Sequence, residues 1–262
     1  WWSGWKKRVR PIWPDVFFTA ILATMKNSPT DCVPLLQDLI RCRSVTPHEG
    51  GALTVLENLL SAHGFVCQRL IFKDQDTPDV ENLFARIGSA QPHLCFAGHT
   101  DVVPVGDEAN WKHEPFAAEI KAGVLYGRGA TDMKGSVAAF AAAAVDYVKH
   151  SGKPAGSISF LITGDEEGPA INGTIKVLEW MKANGHIPDH CLVGEPTCVA
   201  KLGDTIKIGR RGSLSFIVSV AGVQGHVAYP QNTDNPIPKL ARFLDRISFA
   251  KIDDGNDHFD PS

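Results

Sequence analysis

No apolar run in this 262-residue chain approaches the roughly eighteen residues that a membrane-spanning helix requires. The six cysteines include no C-x-x-C spacing. Several, such as Cys95 between Leu94 and Phe96, sit in apolar stretches where a thiol acts as a small hydrophobe, a pattern that suits a reducing, cytoplasmic compartment. Neither sign of charge dominates: 26 basic against 29 acidic residues leave a net charge of -3, with no electrostatic case for nucleic acid or an anionic membrane as the main partner. A small-molecule substrate fits better. Internal repeats and low-complexity tracts are absent too. What is present is 44% hydrophobic and 21% charged residues, enough to bury a core in one large or two modest domains.

Residues 1–24 are unlike the rest of the chain. The basic start Lys6-Lys7-Arg8 and the apolar Val16 to Ala23 faintly resemble a signal peptide, but Pro11 and Pro14 interrupt it and no cleavage site comes after it. Met25 is expected to be a natural start, with 1–24 an extension outside the fold.

Apolar residues recur at helical spacing from Asp31 to Leu39 and from Leu53 to His63. Short apolar runs come next at Phe65 to Phe72, Asn82 to Ile87, His93 to Ala97, Ser157 to Thr163 and Cys191 to Val193, each of strand length and bounded by turn residues. Between them, Gly135 to Lys149 reads as an alanine-rich helix and Thr174 to Asn184 as another. Strands alternating with helices argue for an α/β layered domain. A long alternating strand, Gly212 to Val220, and a helix from Ile237 to Ile247 then open a second domain near Gly209 that one strand and one helix cannot close.

Four clusters stand at strand ends or in the loops just after them, where α/β sheets place their ligands. The first is Gly98-His99-Thr100-Asp101. If the strand geometry continues, His99 and Asp101 face the same way, and the carboxylate can orient the imidazole while its other nitrogen binds a cation. The second, 127–135, has glycines at 127, 129 and 135 that fit neither a Walker nor a G-x-G-x-x-G spacing, and Asp132 can bridge two cations instead. In the third, Glu166 and Glu167 face opposite ways if extended, so one can ligate metal while the other serves as general base. The fourth offers Glu195. Each cluster alone admits a bland reading, a satisfied core histidine or a solvated acidic turn. Together, one imidazole and several carboxylates at one sheet edge would repel one another unless cations lay between them. Mixed His and carboxylate ligation admits zinc, cobalt or manganese.

In order and spacing, these clusters resemble the metal-dependent aminoacylase and carboxypeptidase (M20-type) family, from about Met25 to Ser262. The resemblance implies a layered, zinc-peptidase-like catalytic domain over 25–208, with helices on both faces of a mixed sheet, and an incomplete α+β, ferredoxin-like lid and dimerisation domain over 209–262. It implies two divalent metal ions, zinc foremost, held by His99, Asp132 as the bridge, Glu167 and Glu195. Asp101 would orient His99, and Glu166 would be the general base. The strings Gly168 to Thr174, Gly194 to Thr197, Arg210 to Ser213 and His226 to Pro230 resemble the desuccinylase branch more than its peptidase or acetylornithine relatives.

That branch implies hydrolysis of N-succinyl-LL-diaminopimelate to succinate and LL-diaminopimelate, in lysine biosynthesis. Arg210, Ser213 and Tyr229 would bind substrate, and His226 would stabilise the oxyanion in the partner subunit of a homodimer. The family's last metal ligand, a downstream His, is not reached before Ser262, so truncation and weak or absent activity are expected. Other acyl-amino-acid deacylases or aminopeptidases of the family, and a non-catalytic metal-binding or dimerisation module, are the alternatives.

Overall fold

A computed structural model describes residues 30–209, 212 and 215–256. Residues 1–24, expected to be an extension, and Arg210 and Ser213 lie outside the described residues. The chain divides into two units, the first ending at Pro196 and the second beginning at Thr197.

The apolar stripes of the sequence fold as α1 (Val33–Arg41), with a proline in its first turn, and α2 (Ala52–Ala62), which buries Ala52, Leu53, Leu56 and Leu60. Strands β1 (Val66–Phe72), β2 (Val80–Gly88) and β3 (His93–His99) succeed them. A hairpin of β4 (Glu119–Lys121) and β5 (Val124–Tyr126) forms a separate two-stranded sheet. Then come α3 (Gly135–Ser151), β6 (Ser157–Thr163), α4 (Thr174–Ala183) and β7 (His190–Val193).

The main sheet has the order β1-β2-β6-β3-β7. β1 and β6 pair antiparallel with β2, whereas β3 runs parallel to both β6 and β7. The sheet is therefore mixed, and helices cover both faces. Leu83, Ala85, Phe96, Phe160 and Ile162 pack on one side against Leu39 of α1, Leu56 and Leu60 of α2, and Val137, Ala138, Ala141 and Ala144 of α3. Their sequence neighbours Phe84, Cys95 and Leu161 point the other way, onto Val177 and Met181 of α4. This alternation comes from the two-residue period of strands. The small side chains of α3 let its backbone lie close to the aromatic layer beneath it.

The β4–β5 hairpin is not expected from the sequence. Its turn places Ala122 at φ 50° and Gly123 at φ 79°, and an alanine in the left-handed region lacks the Asn-Gly signal by which such turns are usually read. In the second unit, Pro236–Ser248 forms α5, capped where the Asn235 side chain accepts from Ile237 N at 3.0 Å. The strand expected over 212–220 is not formed at residues 215–220, which are irregular. Alternation marks a segment suited to a sheet, but a strand exists only where a neighbour supplies the hydrogen bonds. In this unit, Val223 and Asp234 form an isolated bridge. Among the described residues, no helix is long and apolar enough to cross a membrane, and the six cysteines are free.

Phe160 is fully buried and meets the rings of Phe65, Phe140 and Phe96 at centroid distances of 5.6, 5.2 and 6.1 Å. Phe160→Ala is expected to destabilise the chain by about 3–5 kcal/mol, through lost burial and the cavity left behind. Urea denaturation checks this.

Candidate metal centre

Parallel strands bring their carboxyl ends to one edge. β3 ends at His99 opposite Thr163 of β6, and Val193 at the end of β7 lies opposite Ala97. The loops leaving β3, β6 and β7 therefore start side by side, and they carry His99 and Asp101, Glu166 and Glu167, and Glu195.

Asp132 arrives differently, from the irregular turn Ala130–Lys134 that precedes α3. Two buried neighbours seat that turn. Met133 enters the core between β3 and β7, so close that a Cβ at Gly98 would lie 2.5 Å from its Cε and one at Gly194 would lie 2.9 Å away. A larger residue at Gly98 would crowd the end of the Met133 side chain, and one at Gly194 would meet the Phe96 ring first, at 2.6 Å, and then Met133. Lys134 is fully buried, and its Nζ donates to the carbonyls of Leu39 and Cys42 at 2.8 and 3.0 Å, at the end of α1. Burial lowers its ammonium pKa to about 8. Ser136 Oγ also donates to Gly194 O at 2.5 Å, tying the start of α3 to the residue before Glu195.

The His99 imidazole is the hub. Its Nδ1 lies 2.9 Å from the backbone carbonyl of Asp101, which fixes the proton on that nitrogen and turns Nε2 outward. Nε2 then faces Asp132 Oδ1 at 3.1 Å, Glu195 Oε1 at 3.6 Å and Glu166 Oε2 at 3.7 Å. Two groups share it: His99 with Asp132 and Glu195, and His99 with Glu166 and Glu167. One ligand atom from each residue lies within 4.8 Å of the others in its group.

The Asp101 carboxylate sits 3.6 Å from Nδ1, farther than the carbonyl of the same residue. It is buried, and it accepts instead from the backbone N–H groups of Glu166 and Glu167 at 3.2 and 3.0 Å. One side chain thus links the His99 loop to the two glutamates. Those glutamates lie in a bend, not on extended chain, so both can turn toward the same imidazole.

The donor set fits divalent cations. With Nδ1 engaged, Nε2 must carry a proton or present its lone pair to a cation, because a lone pair facing carboxylates would be repelled. Burial alone would lower the His99 pKa, but the Asp101 carboxylate and carbonyl, then Glu166 and Glu195, outweigh it and raise the pKa. Burial raises the Glu167 pKa, with repulsion from Asp132 adding to it. Burial also raises Glu195 against the pull of His99, again helped by Asp132. Asp101 is raised by burial, opposed by the amide of Glu167. A cation between these groups would relieve all four shifts.

His226 and Tyr229 lie in the second unit and are exposed, their rings 5.9 Å apart, and His226 Nδ1 accepts from Ala228 N at 3.0 Å. Met133 and Lys134 carry no donor-cluster signal in the sequence, and their part in seating Asp132 comes from the structure alone. The one signal for Lys134 is its place three and four residues before Val137 and Ala138, on the stripe that α3 buries.

The model of peptidase family M20/M25/M40 matches residues 95–255. The chain is 58% identical over 240 residues to the succinyl-diaminopimelate desuccinylase of Parvibaculum lavamentivorans, which covers 92% of this chain and 60% of that protein. It is 55% identical over 243 residues to the enzyme of the same name from Rhodopseudomonas palustris, covering 91% of this chain and 62% of the relative. The chain thus spans about three-fifths of the length of these relatives. The crystal structure of human carnosine dipeptidase 1 superposes with a TM-score of 0.59 at 23% identity, over 72% of this chain and 43% of that one, a likeness of fold.

His99, Asp101, Glu167 and Glu195 all bind protons more readily folded than unfolded, so the stability they confer is present at low pH and lost as pH rises through their raised values. In the metal-free chain, Glu195→Gln is expected to leave the melting temperature unchanged below the ordinary glutamate value of 4.5 and to raise it above the ordinary imidazole value of 6.5. The stabilisation gained on adding zinc should shrink in the same variant. Scanning calorimetry with and without a chelator checks both, and a variant destabilised at high pH would count against the crowding of charge at this edge.

Proposed function

The chain belongs to peptidase family M20/M25/M40, and from that premise we propose that it carries the metal centre of an amidohydrolase that splits N-succinyl-LL-diaminopimelate into succinate and LL-diaminopimelate. What supports this most directly is the His99 Nε2 edged by the carboxylates of Asp132, Glu195 and Glu166 at 3.1, 3.6 and 3.7 Å. The substrate is the one in the name shared by the two curated relatives. His99, Asp132, Glu167 and Glu195 would hold two divalent ions, with zinc foremost for this donor set and cobalt or manganese also suited to it. Bound there, such ions supply Lewis acidity, lowering the pKa of a water and polarising the amide carbonyl.

The residues divide the remaining work. Glu166, whose side chain is 39% exposed, is the general base: it takes a proton from the attacking water and passes it to the leaving amine nitrogen. Asp101 keeps Glu166 in place through its backbone N–H. Lys134, Met133 and Ser136 hold Asp132 and Glu195 toward the centre without touching substrate. Arg210 offers a planar donor fork to a substrate carboxylate, Ser213 and Tyr229 add contacts to substrate, and His226 stabilises the oxyanion across a homodimer. Cytoplasmic location, and a place in lysine and diaminopimelate biosynthesis, complete the proposal.

Metal analysis of three variants tests the roles. Glu166→Ala is expected to keep its metal while lowering any measurable turnover by about 10²–10⁴-fold, the usual contribution of a general base. Glu167→Ala and His99→Ala should lose metal. Equal loss in all three would reject the division of labour. A panel of succinylated, acetylated and peptide substrates tests specificity: the succinylated diaminopimelate should be cleaved in preference, and faster cleavage of an acetylated or peptide substrate would reject the assignment.

A further inference from the structure

Asp165 stands directly before the two glutamates, yet it turns the opposite way and is only 2% exposed. Its carboxylate is an interior anchor. Oδ1 accepts from Ala170 N at 3.2 Å, and Oδ2 accepts from Ile171 N at 3.0 Å and Asn172 N at 2.9 Å. Its own N–H donates to Thr163 Oγ1 at 3.1 Å, at the end of β6. Three backbone N–H groups on one carboxylate are charge-assisted bonds, which are shorter and stronger than neutral ones. They close the segment from 165 to 172 into a ring around this one side chain.

The ring is tight and tied down at its far end. A Cβ at Gly168 would lie 2.6 Å from Asp165 Oδ1 and 2.7 Å from Thr46 Oγ1, and one at Gly173 would lie 2.5 Å from Thr163 Oγ1. Ala170 adopts φ 57°, a left-handed conformation that alanine rarely takes, and its N–H is one of the three that Asp165 receives. Asn172 is fully buried, donates to Thr77 Oγ1 and Pro78 O at 2.9 and 2.8 Å, and accepts from Lys176 Nζ at 2.6 Å. Glu166 and Glu167 therefore lie in a loop gripped from two sides, by Asp101 on their own amides and by Asp165 on the amides beyond.

We propose that Asp165 is a positioning residue: by holding the loop closed it points Glu166 and Glu167 at His99, and so sets the cation affinity of that side of the centre without contacting a cation. The inference rests on the metal-centre reading. It has a selective consequence, because Asp132 and Glu195 come from other elements and do not depend on this ring.

The test uses Asp165→Asn in the 262-residue chain, titrated with cobalt(II) by calorimetry and followed by its visible absorption, together with amide hydrogen exchange on the metal-free protein. Asn keeps the shape but puts an NH₂ where one acceptor oxygen stood. Loss of about one charge-assisted bond should weaken the lower-affinity cobalt step about tenfold, leave the tighter step within about twofold, and speed exchange at 170–172 with strand β3 unaffected. Gly168→Ala pushes on the same carboxylate without removing its charge and should reproduce the pattern, so the test survives if the Asn variant does not fold. Equal weakening of both steps, or unchanged exchange at 170–172, would overturn the proposal. Absence of cobalt binding by the unaltered chain, with exchange at 170–172 still accelerated in the variant, would instead reject the metal-centre reading and keep Asp165 as the loop's anchor.

Discussion

Like charges crowd one edge of the sheet, and every other feature of the site answers to that crowding. Two carboxylates about 4 Å apart repel by about 4 kcal/mol at an effective dielectric near 20, and a whole domain is stable by only about 5–15 kcal/mol. Asp132, Glu166, Glu167 and Glu195 gather around His99, with ligand atoms of each group within 4.8 Å of one another. The polypeptide can hold such a cluster only by keeping protons on it or by placing cations inside it. The raised pKa values of His99, Glu167 and Glu195 are the first solution, and the mixed imidazole and carboxylate donor set is suited to the second.

Holding the cluster against its own repulsion requires stiff supports, and these are among the most buried polar groups of the first unit. Lys134 and Asp101 are 0% and 1% exposed, and Asp165 is 2% exposed, each with backbone groups as partners. The groups they support are more open: the side chains of Asp132 and Glu166 are 52% and 39% exposed. A dry foundation fixes direction, while the tips stay accessible to cation, water and substrate. Met133 adds an apolar counterpart, since Gly98 and Gly194 clear the space it fills between β3 and β7. The site is thus anchored in the same core that α1, α2 and α3 build on that face of the sheet.

Much of this is legible in the residues. Each donor cluster but that of Asp132 comes directly after an apolar run of strand length, and because α/β sheets put ligands at the carboxyl ends of strands, the clusters read as one site from the sequence. The details are less legible where local geometry changes. β3 stops at His99, so the extended spacing that would aim the Asp101 carboxylate at the imidazole does not continue. The backbone carbonyl of Asp101 lies nearer to Nδ1, at 2.9 Å, while its carboxylate stays 3.6 Å from that nitrogen and also accepts from the amides of the glutamates. Asp165 is hidden from a sequence reading because an acidic residue in an acidic turn looks solvated until its three amide partners are known.

By itself, the sequence determined the succession of helices and strands and the kinds of donor atom available, since periodicity reports which side of a segment is buried and side-chain chemistry is local. Only the tertiary structure decided which donors meet. The order β6-β3-β7 departs from the order along the chain, and the contacts that aim the ligands join residues as far apart as Leu39 and Lys134, or Asp101 and Glu167. Such pairings depend on strand register and on buried hydrogen bonds between distant segments, and no local pattern of residues encodes the distance between them.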